Sequence, residues 1–380
     1  MIPLSLPNLN GNEWKYVKEC IDTGWISTAG KFVDEFESKF AKYIDSQGAV
    51  SVVNGTCALH IALQLLDVKH GDLVLVPNIT FVASANAISY IGADPLLIDI
   101  DKKTWQMDLD LLEEFLKNKC CHDKSKNLIH TSTKRKISAI MIVHIQGNVC
   151  EMDRLKSLCN KYNLPILEDA AEALGSKYNG VFAGTIGDID CFSFNGNKIM
   201  STGGGGMIVS NNNNYLKRAK HLTTTAKSDP LRYFHDEVGY NYRLVNILAA
   251  MGLAQLEQLD GFVEAKLQIA NFYRNMLSGI GDIDFQYVPI NVRSNEWLFT
   301  ITTNRMEELL EYLNKNNVMS RPFWVPMNQL PMYKDKIYIT KSDVSRSVHK
   351  KALSIPCSTG IQMSQLETVV KTIKDFYKGG

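Results

Sequence analysis

Short apolar runs rich in β-branched residues recur along the first half of the chain, separated by stretches with helical spacing. The runs are Ala49 to Val53, Leu73 to Val76, Pro95 to Ile98, Ala139 to Ile145, Pro165 to Glu168, Asp190 to Phe194 and Met207 to Ser210. Between them, Thr56 to Leu66 sets Leu59, Leu63 and Leu66 on one helical face, and Ala83 to Ile91 and Met152 to Tyr162 also read as helices. Alternation of this kind predicts an α/β fold around a mostly parallel sheet covered on both faces.

From about Val245 the pattern turns helical, with Ile247, Leu248, Met251, Leu253, Leu256 and Leu259 recurring near a 3.6-residue period. Weaker mixed segments follow, so a large domain over 1–252 and a smaller α+β domain over 253–380 are expected. Lys117 to Lys136 is lysine-rich with few apolar positions and reads as a solvated connection or insertion. Asn211 to Asn214 reads as a short polar turn. No internal repeat is visible.

Composition narrows the function classes. The 380 residues are 45% hydrophobic and 21% charged, which suits a globular protein with a sizeable core. Lysine plus arginine number 41 against 40 acidic residues, so no electrostatic footprint for nucleic acid or a membrane surface exists. The first ten residues lack a secretory pattern, and no stretch nears the roughly 20 apolar residues that span a bilayer. A cytoplasmic protein is expected. The eight cysteines include no C-x-x-C pair and are too scattered for a zinc site or a disulfide framework. Cys120 and Cys121, adjacent in a hydrophilic segment, are read as ordinary thiols.

Three segments carry candidate chemistry. SVVNGTCALHIAL, Ser51 to Leu63, reads as a strand, a turn at Asn54 and Gly55, then a helix starting near Thr56. A helix start offers unpaired backbone N–H groups and a positive dipole end, which suits a phosphate. Thr56 adds a hydroxyl and Cys57 a backbone N–H, although a glycine turn before a capped helix is also common punctuation. In PILEDAAEALG a strand runs into Glu168 and Asp169 at the carboxyl edge of the sheet, where ligands of open α/β sheets bind. A carboxylate there can bind a metal, act as a base, or accept a hydrogen bond from a protonated ring nitrogen. No His, Cys or second carboxylate set nearby has metal-ligand spacing, so no metal is expected.

The third segment, DIDCFSFNGNKIMSTGGGGMIVS, ends a strand at Ser193 and Phe194 and then turns tightly through Lys198. Most lysines are solvated surface groups, but one beside this sheet edge can serve as a nucleophilic amine. Gly203 to Gly206 precede a strand, whereas a dinucleotide fingerprint follows a strand and opens a helix, which argues against a Rossmann site. An anion cradle, a strand-end carboxylate and a lysine are together what pyridoxal 5'-phosphate needs: a phosphate site, a partner for its pyridine nitrogen, and an amine for its aldehyde.

Across nearly its whole length the chain resembles the sugar-nucleotide aminotransferases of the DegT type. The resemblance is carried by GTCALHIAL, TFVASANAI, EDAAEALGSKYNG, GDIDCFSFNGNK, TGGGGMI and GYNYRLVNILAAMGLAQLEQL. It implies the aspartate-aminotransferase-like fold type I, with a seven-stranded sheet in the large domain, and a homodimer with shared active sites. It also implies that Lys198 bonds the cofactor, Asp169 pairs with the pyridine nitrogen, and Thr56, Cys57 and Ser193 hold the phosphate. Asn241 would reach the phosphate from the partner subunit, Phe81 would stack on the ring, and Glu172 would lie near the ring hydroxyl. Taken singly, Phe81 also suits a core, Asn241 a turn, and Ser193 a buried strand.

Within the family, IPLSLPNLNGNEWKYVKECIDTGWIS, the GNK turn and RPFWVPMNQLPMY resemble enzymes of bacillosamine-like and legionaminic-acid-like pathways. These aminate C4 of a nucleotide-linked 2-acetamido-4-keto-2,6-dideoxyhexose, and UDP and a glutamate donor are expected with them. Trp25, Asn195 and Trp324 are expected sugar or nucleotide contacts, with ordinary loop packing as the alternative. A perosamine-type GDP sugar or a 3-keto sugar is the rival substrate. The family's dehydratases lack the cofactor-bonding lysine, so Lys198 counts against them; a non-catalytic regulatory protein on the same scaffold would show no turnover.

Overall fold

In the computed structural model, which describes residues 1–229 and 231–379, the apolar runs line up as neighbouring strands. They are β1 (Gly48–Val52), β2 (Leu73–Pro77), β3 (Asp94–Ile98), β4 (Ile137–Val143), β5 (Ile166–Asp169), β6 (Ile189–Ser193) and β7 (Gly206–Ser210). Their spatial order is β1-β7-β6-β5-β4-β2-β3. From β6 to β3 neighbours run parallel, while β7 is antiparallel to both β1 and β6. Every residue of β2 and β4 is buried. That explains why they read as continuous apolar runs instead of alternating ones. An eighth strand of two residues, β8 (Tyr338–Ile339), comes from the C-terminal part and pairs parallel with β3.

Successive residues of a strand serve opposite faces. Leu73 and Leu75 join one core with the helix Lys31–Tyr43 and the helices Leu109–Lys119, Met152–Tyr162 and Asn246–Leu256. Val74 and Val76 join the other, under the helices Gly55–Leu65 and Ala83–Tyr90. A third core lies beneath a four-stranded antiparallel sheet, ordered Asp284–Phe285, Phe299–Thr302, Ala352–Ile355, Arg321–Pro322. The chain passes between the first and third cores inside the helix Leu259–Leu277: Phe262 and Val263 belong to the first, Ile269 and Ala270 to the third. Residue 253 lies within the continuous helix Asn246–Leu256. No helix among the described residues is long and apolar enough to cross a membrane.

Two expectations change. The asparagine run is not a turn throughout, because Asn212 caps a helix, Asn213–Thr223, by accepting from the Asn214 N–H. Asparagine favours such caps because its short side chain mimics a backbone acceptor. The segment Lys117 to Lys136 is more than a solvated connection. It contains a hairpin of Cys120–His122 with Leu128–His130, and Arg135 donates to the Gly71 and Asp72 carbonyls and to Asp94.

Gly206 explains part of the glycine run. A Cβ there would lie 2.6 Å from the Asn54 carbonyl carbon and oxygen and 2.8 Å from the Gly55 nitrogen, all backbone atoms. The start of β7 is therefore pressed against the start of the helix Gly55–Leu65. Gly206→Ala should destabilise the protein by about 1–3 kcal/mol through overpacking. Gly261→Ala, in a helix and with no atom within 4 Å of the new methyl, should stabilise it by up to about 1 kcal/mol. Denaturant midpoints that move in the same direction would refute this account.

Candidate active site

The carboxyl ends of β5 and β6 and the start of the helix Gly55–Leu65 meet at one edge of the large sheet. Asp169 ends β5 and Ser193 ends β6. They open into a cavity of about 410 Å³ whose walls also include Gly55, Thr56 and Phe81. Glu172, Asn195, Lys198 and Trp324 complete the expected residues around it. Residues from Gly55 to Trp324 thus converge because parallel strands all point their carboxyl ends the same way.

Asn54 shapes the helix start. Its backbone is extended and its side chain accepts from the Cys57 N–H at 2.8 Å. Cys57, expected to offer that N–H to a phosphate, has therefore given it to Asn54, and it does not line the cavity. Gly55 and Thr56 do, at the end of the helix where N–H groups have no intrahelical acceptor. Asn241 pairs by backbone with Thr224 and lies outside this chain's cavity. Trp25 is 59% exposed and also outside it, its carbonyl accepting from Asn246.

Lys198 reaches the centre of the site from a tight turn closed by its own N–H to the Asn195 carbonyl, 3.0 Å. Its side chain is 11% exposed, with Nζ 3.7 Å from Glu172 Oε1. Burial pulls the lysine's pKa down, opposed by the Glu172 and Asp169 carboxylates. The same burial pushes Glu172 up to about 7, against the pull of Lys198 and of the Gln146 N–H. Both shifts favour the neutral forms. Asp169 is also raised by burial, countered by the Ser84 hydroxyl at 2.7 Å and the Ala171 N–H at 3.2 Å. One donor on each oxygen leaves it capacity to accept another.

Backbone strain serves this arrangement. Gln146 has a φ of 59°, in the left-handed region, and donates its N–H to Glu172 Oε2 at 2.8 Å. Its side-chain amide bonds Thr300 Oγ1, in the smaller sheet, at 2.7 Å. Behind β5, Glu168 accepts from His144 and from the Gly184, Ile186 and Gly187 N–H groups. Burial alone would raise its pKa, but the His144 bond holds it down. Asp190, buried beside it, is pushed well up by burial and by that neighbouring charge.

Several cavity residues carried no expectation. Ser84 lay in a quoted motif, and Arg321 opens RPFWVPMNQLPMY; apart from Lys198 it is the one cation among the described lining residues. Trp297 had no local signal at all. It stacks its ring under the Lys198 amine, 4.0 Å from the ring centroid.

Residues 7–374 match the model of the DegT/DnrJ/EryC1/StrS aminotransferase family. The chain belongs to that family. It is similar to the GDP-perosamine synthase of Escherichia coli O157:H7, 38% identical over 99% of this chain and 98% of the relative. The UDP-4-amino-4,6-dideoxy-N-acetyl-β-L-altrosamine transaminase of Campylobacter jejuni is 32% identical, over 92% and 90%. Among solved structures, DesV of S. venezuelae, in complex with a ketimine intermediate, superposes with a TM-score of 0.86 at 26% identity, covering 97% of this chain and 94% of DesV. Family membership makes this chain a pyridoxal-phosphate-dependent sugar aminotransferase. The donor set fits that cofactor: a helix start and Ser193 for its phosphate, an under-used carboxylate for its ring nitrogen, and a buried amine for its aldehyde.

Glu172→Gln removes the anion nearest Lys198, and a nearby carboxylate favours the lysine's protonated form. The variant's Lys198 should therefore titrate at lower pH than the wild type's. Amine-selective labelling of Lys198 in cofactor-free protein, followed against pH by mass spectrometry, measures this; an upward shift would contradict the geometry.

Proposed function

We propose that this chain transfers an amino group from glutamate to C4 of a GDP-linked 4-keto-6-deoxyhexose, as a homodimer, for surface-polysaccharide biosynthesis. The chemical part rests on one observation, the Lys198 amine buried in a single cavity with Asp169, Glu172 and a helix start. The choice of GDP over the expected UDP rests on likeness: the relative named GDP-perosamine synthase is more similar over more of its length than the UDP-sugar transaminase. The second reading, a UDP-linked 2-acetamido-4-keto-2,6-dideoxyhexose, is supported by the name of the C. jejuni relative.

Pyridoxal phosphate supplies an aldehyde that carries the amino group and a protonated ring that draws electrons from the substrate's α-carbon. The protein's residues do the rest. Gly55, Thr56 and Ser193 would hold the phosphate, with Asn241 of the partner subunit adding to it and the dipole of the helix Gly55–Leu65 favouring its charge. Asp169 would pair with the ring nitrogen, and Phe81, 55% exposed at the cavity wall, would stack on the ring. Lys198, its pKa lowered by burial, would take the substrate's α-proton as a neutral amine and give it back across the transferred nitrogen, as general base and then acid. Glu172 buffers that proton. Asn195, Trp324 and, from an outer segment, Trp25 contact the sugar or nucleotide, and Arg321 offers a cation for a diphosphate or carboxylate.

Incubating the purified protein with glutamate and either GDP- or UDP-linked 4-keto-6-deoxyhexose, then measuring products by mass spectrometry, tests the substrate. The GDP-linked amino sugar is expected; product from the UDP sugar alone would transfer the assignment to the second reading, and product from neither would overturn both. Lys198→Ala should lower turnover by at least about 10²–10⁴-fold, the scale of lost acid-base catalysis. In the wild type, borohydride should fix the cofactor to position 198.

A further inference from the structure

We infer that Trp297 is a positioning residue for Lys198: its indole face carries the lysine's ammonium, and its N–H locks the backbone from which the lysine projects. The inference deepens the reading of Lys198 as the amine that bonds the cofactor and moves protons, and rests on it.

Trp297 is 3% exposed and follows a loop just before the strand Phe299–Thr302, a remote part of the chain from Lys198. Three hydrogen bonds fix it. Its backbone N–H donates to Asn295 Oδ1 at 2.9 Å, and its carbonyl accepts from Lys266 Nζ at 2.7 Å. Its indole N–H donates to the Asn197 carbonyl at 2.7 Å. Lys266 is itself buried and bonded to the Cys357 carbonyl at 2.6 Å, so the anchor is rigid. Trp324 stacks on the indole at 6.4 Å and 22°. A ring held at its backbone, its edge and one neighbouring face cannot swing away.

Lys198 Nζ therefore meets a fixed electron-rich surface 4.0 Å from the ring centroid, with Glu172 Oε1 3.7 Å from the same nitrogen. An aromatic face attracts an ammonium and does nothing comparable for a neutral amine. Once Lys198 has taken a proton, the cation rests between a carboxylate and this face, still within reach of the cavity. The bond to the Asn197 carbonyl acts at the other end. With that carbonyl engaged and the Lys198 N–H bonded to Asn195, the turn stays put and only the side chain moves when the amine is released.

Trp297→Leu removes both the face and the clamp; Trp297→Phe keeps a face and removes the clamp. Two readouts apply to the holoenzyme in its aminated-cofactor form: the pH midpoint for modification of Lys198 by an amine-selective reagent, and the α-deuterium isotope effect on the glutamate half-reaction. In Trp297→Leu the midpoint should fall by about one pH unit and the isotope effect should rise, while KM for glutamate stays within about twofold. Trp297→Phe should restore the midpoint but not the isotope effect. A Leu variant with wild-type midpoint and isotope effect overturns the inference. Should that variant not accumulate as folded protein, a wild-type isotope effect in Trp297→Phe overturns it equally. Borohydride reduction of the wild type separates the two levels: no cofactor fixed at Lys198 defeats the site reading itself, whereas fixation with unchanged variants defeats only the role of Trp297.

Discussion

Lys198, Asp169 and Glu172 are buried together, and a lone charge in that position would cost several kcal/mol in lost hydration. Their grouping is what makes the site tenable. The lysine lowers the acids' demand for water and they lower the lysine's, while Ser84, Ala171 and Gln146 supply the remaining donors. The result is a set of groups held away from their ordinary protonation balance, which is the condition for moving protons at neutral pH. The parallel strands serve this by delivering Asp169 and Ser193 to one edge.

Support comes from both sides of β5. On the far face Glu168 is tied to His144 and to three backbone N–H groups, so the strand that ends in Asp169 is fixed by its neighbouring residue. On the near face Gln146 spends a left-handed backbone conformation to reach Glu172 with its N–H and Thr300 with its side chain. Thr300 in turn bonds Ser354 in the adjacent strand of the smaller sheet. The two parts of the molecule are thereby joined by hydrogen bonds at the floor of the cavity, where a shift of one would be felt by the acid next to Lys198.

Much of this could be read from residue order. The strands announced themselves because burial on both faces demands apolar runs; Asp169 stood out as a charged residue ending such a run, and Lys198 as an amine on a tight turn just beyond one. Cys57 misled because the Asn54 side chain competes for the same N–H, a contest decided by a χ angle and not by composition. The asparagine run hid a helix start, since the residues that favour turns also favour caps. Trp297, Arg321 and Gln146 were silent for another reason. Each owes its place to tertiary approach, Trp297 meeting Asn197 across 100 residues and Gln146 meeting Thr300 across 154, and β8, two residues long, carries no periodicity to detect.

That small strand has an effect out of proportion to its length. By covering the outer side of β3, Tyr338–Ile339 occupies backbone groups that would otherwise be an open template for another chain. Two residues are too few to recruit a further strand themselves, so the sheet stops there. Without it the Leu97–Ile98 edge of β3 would lie bare, an apolar template for another chain.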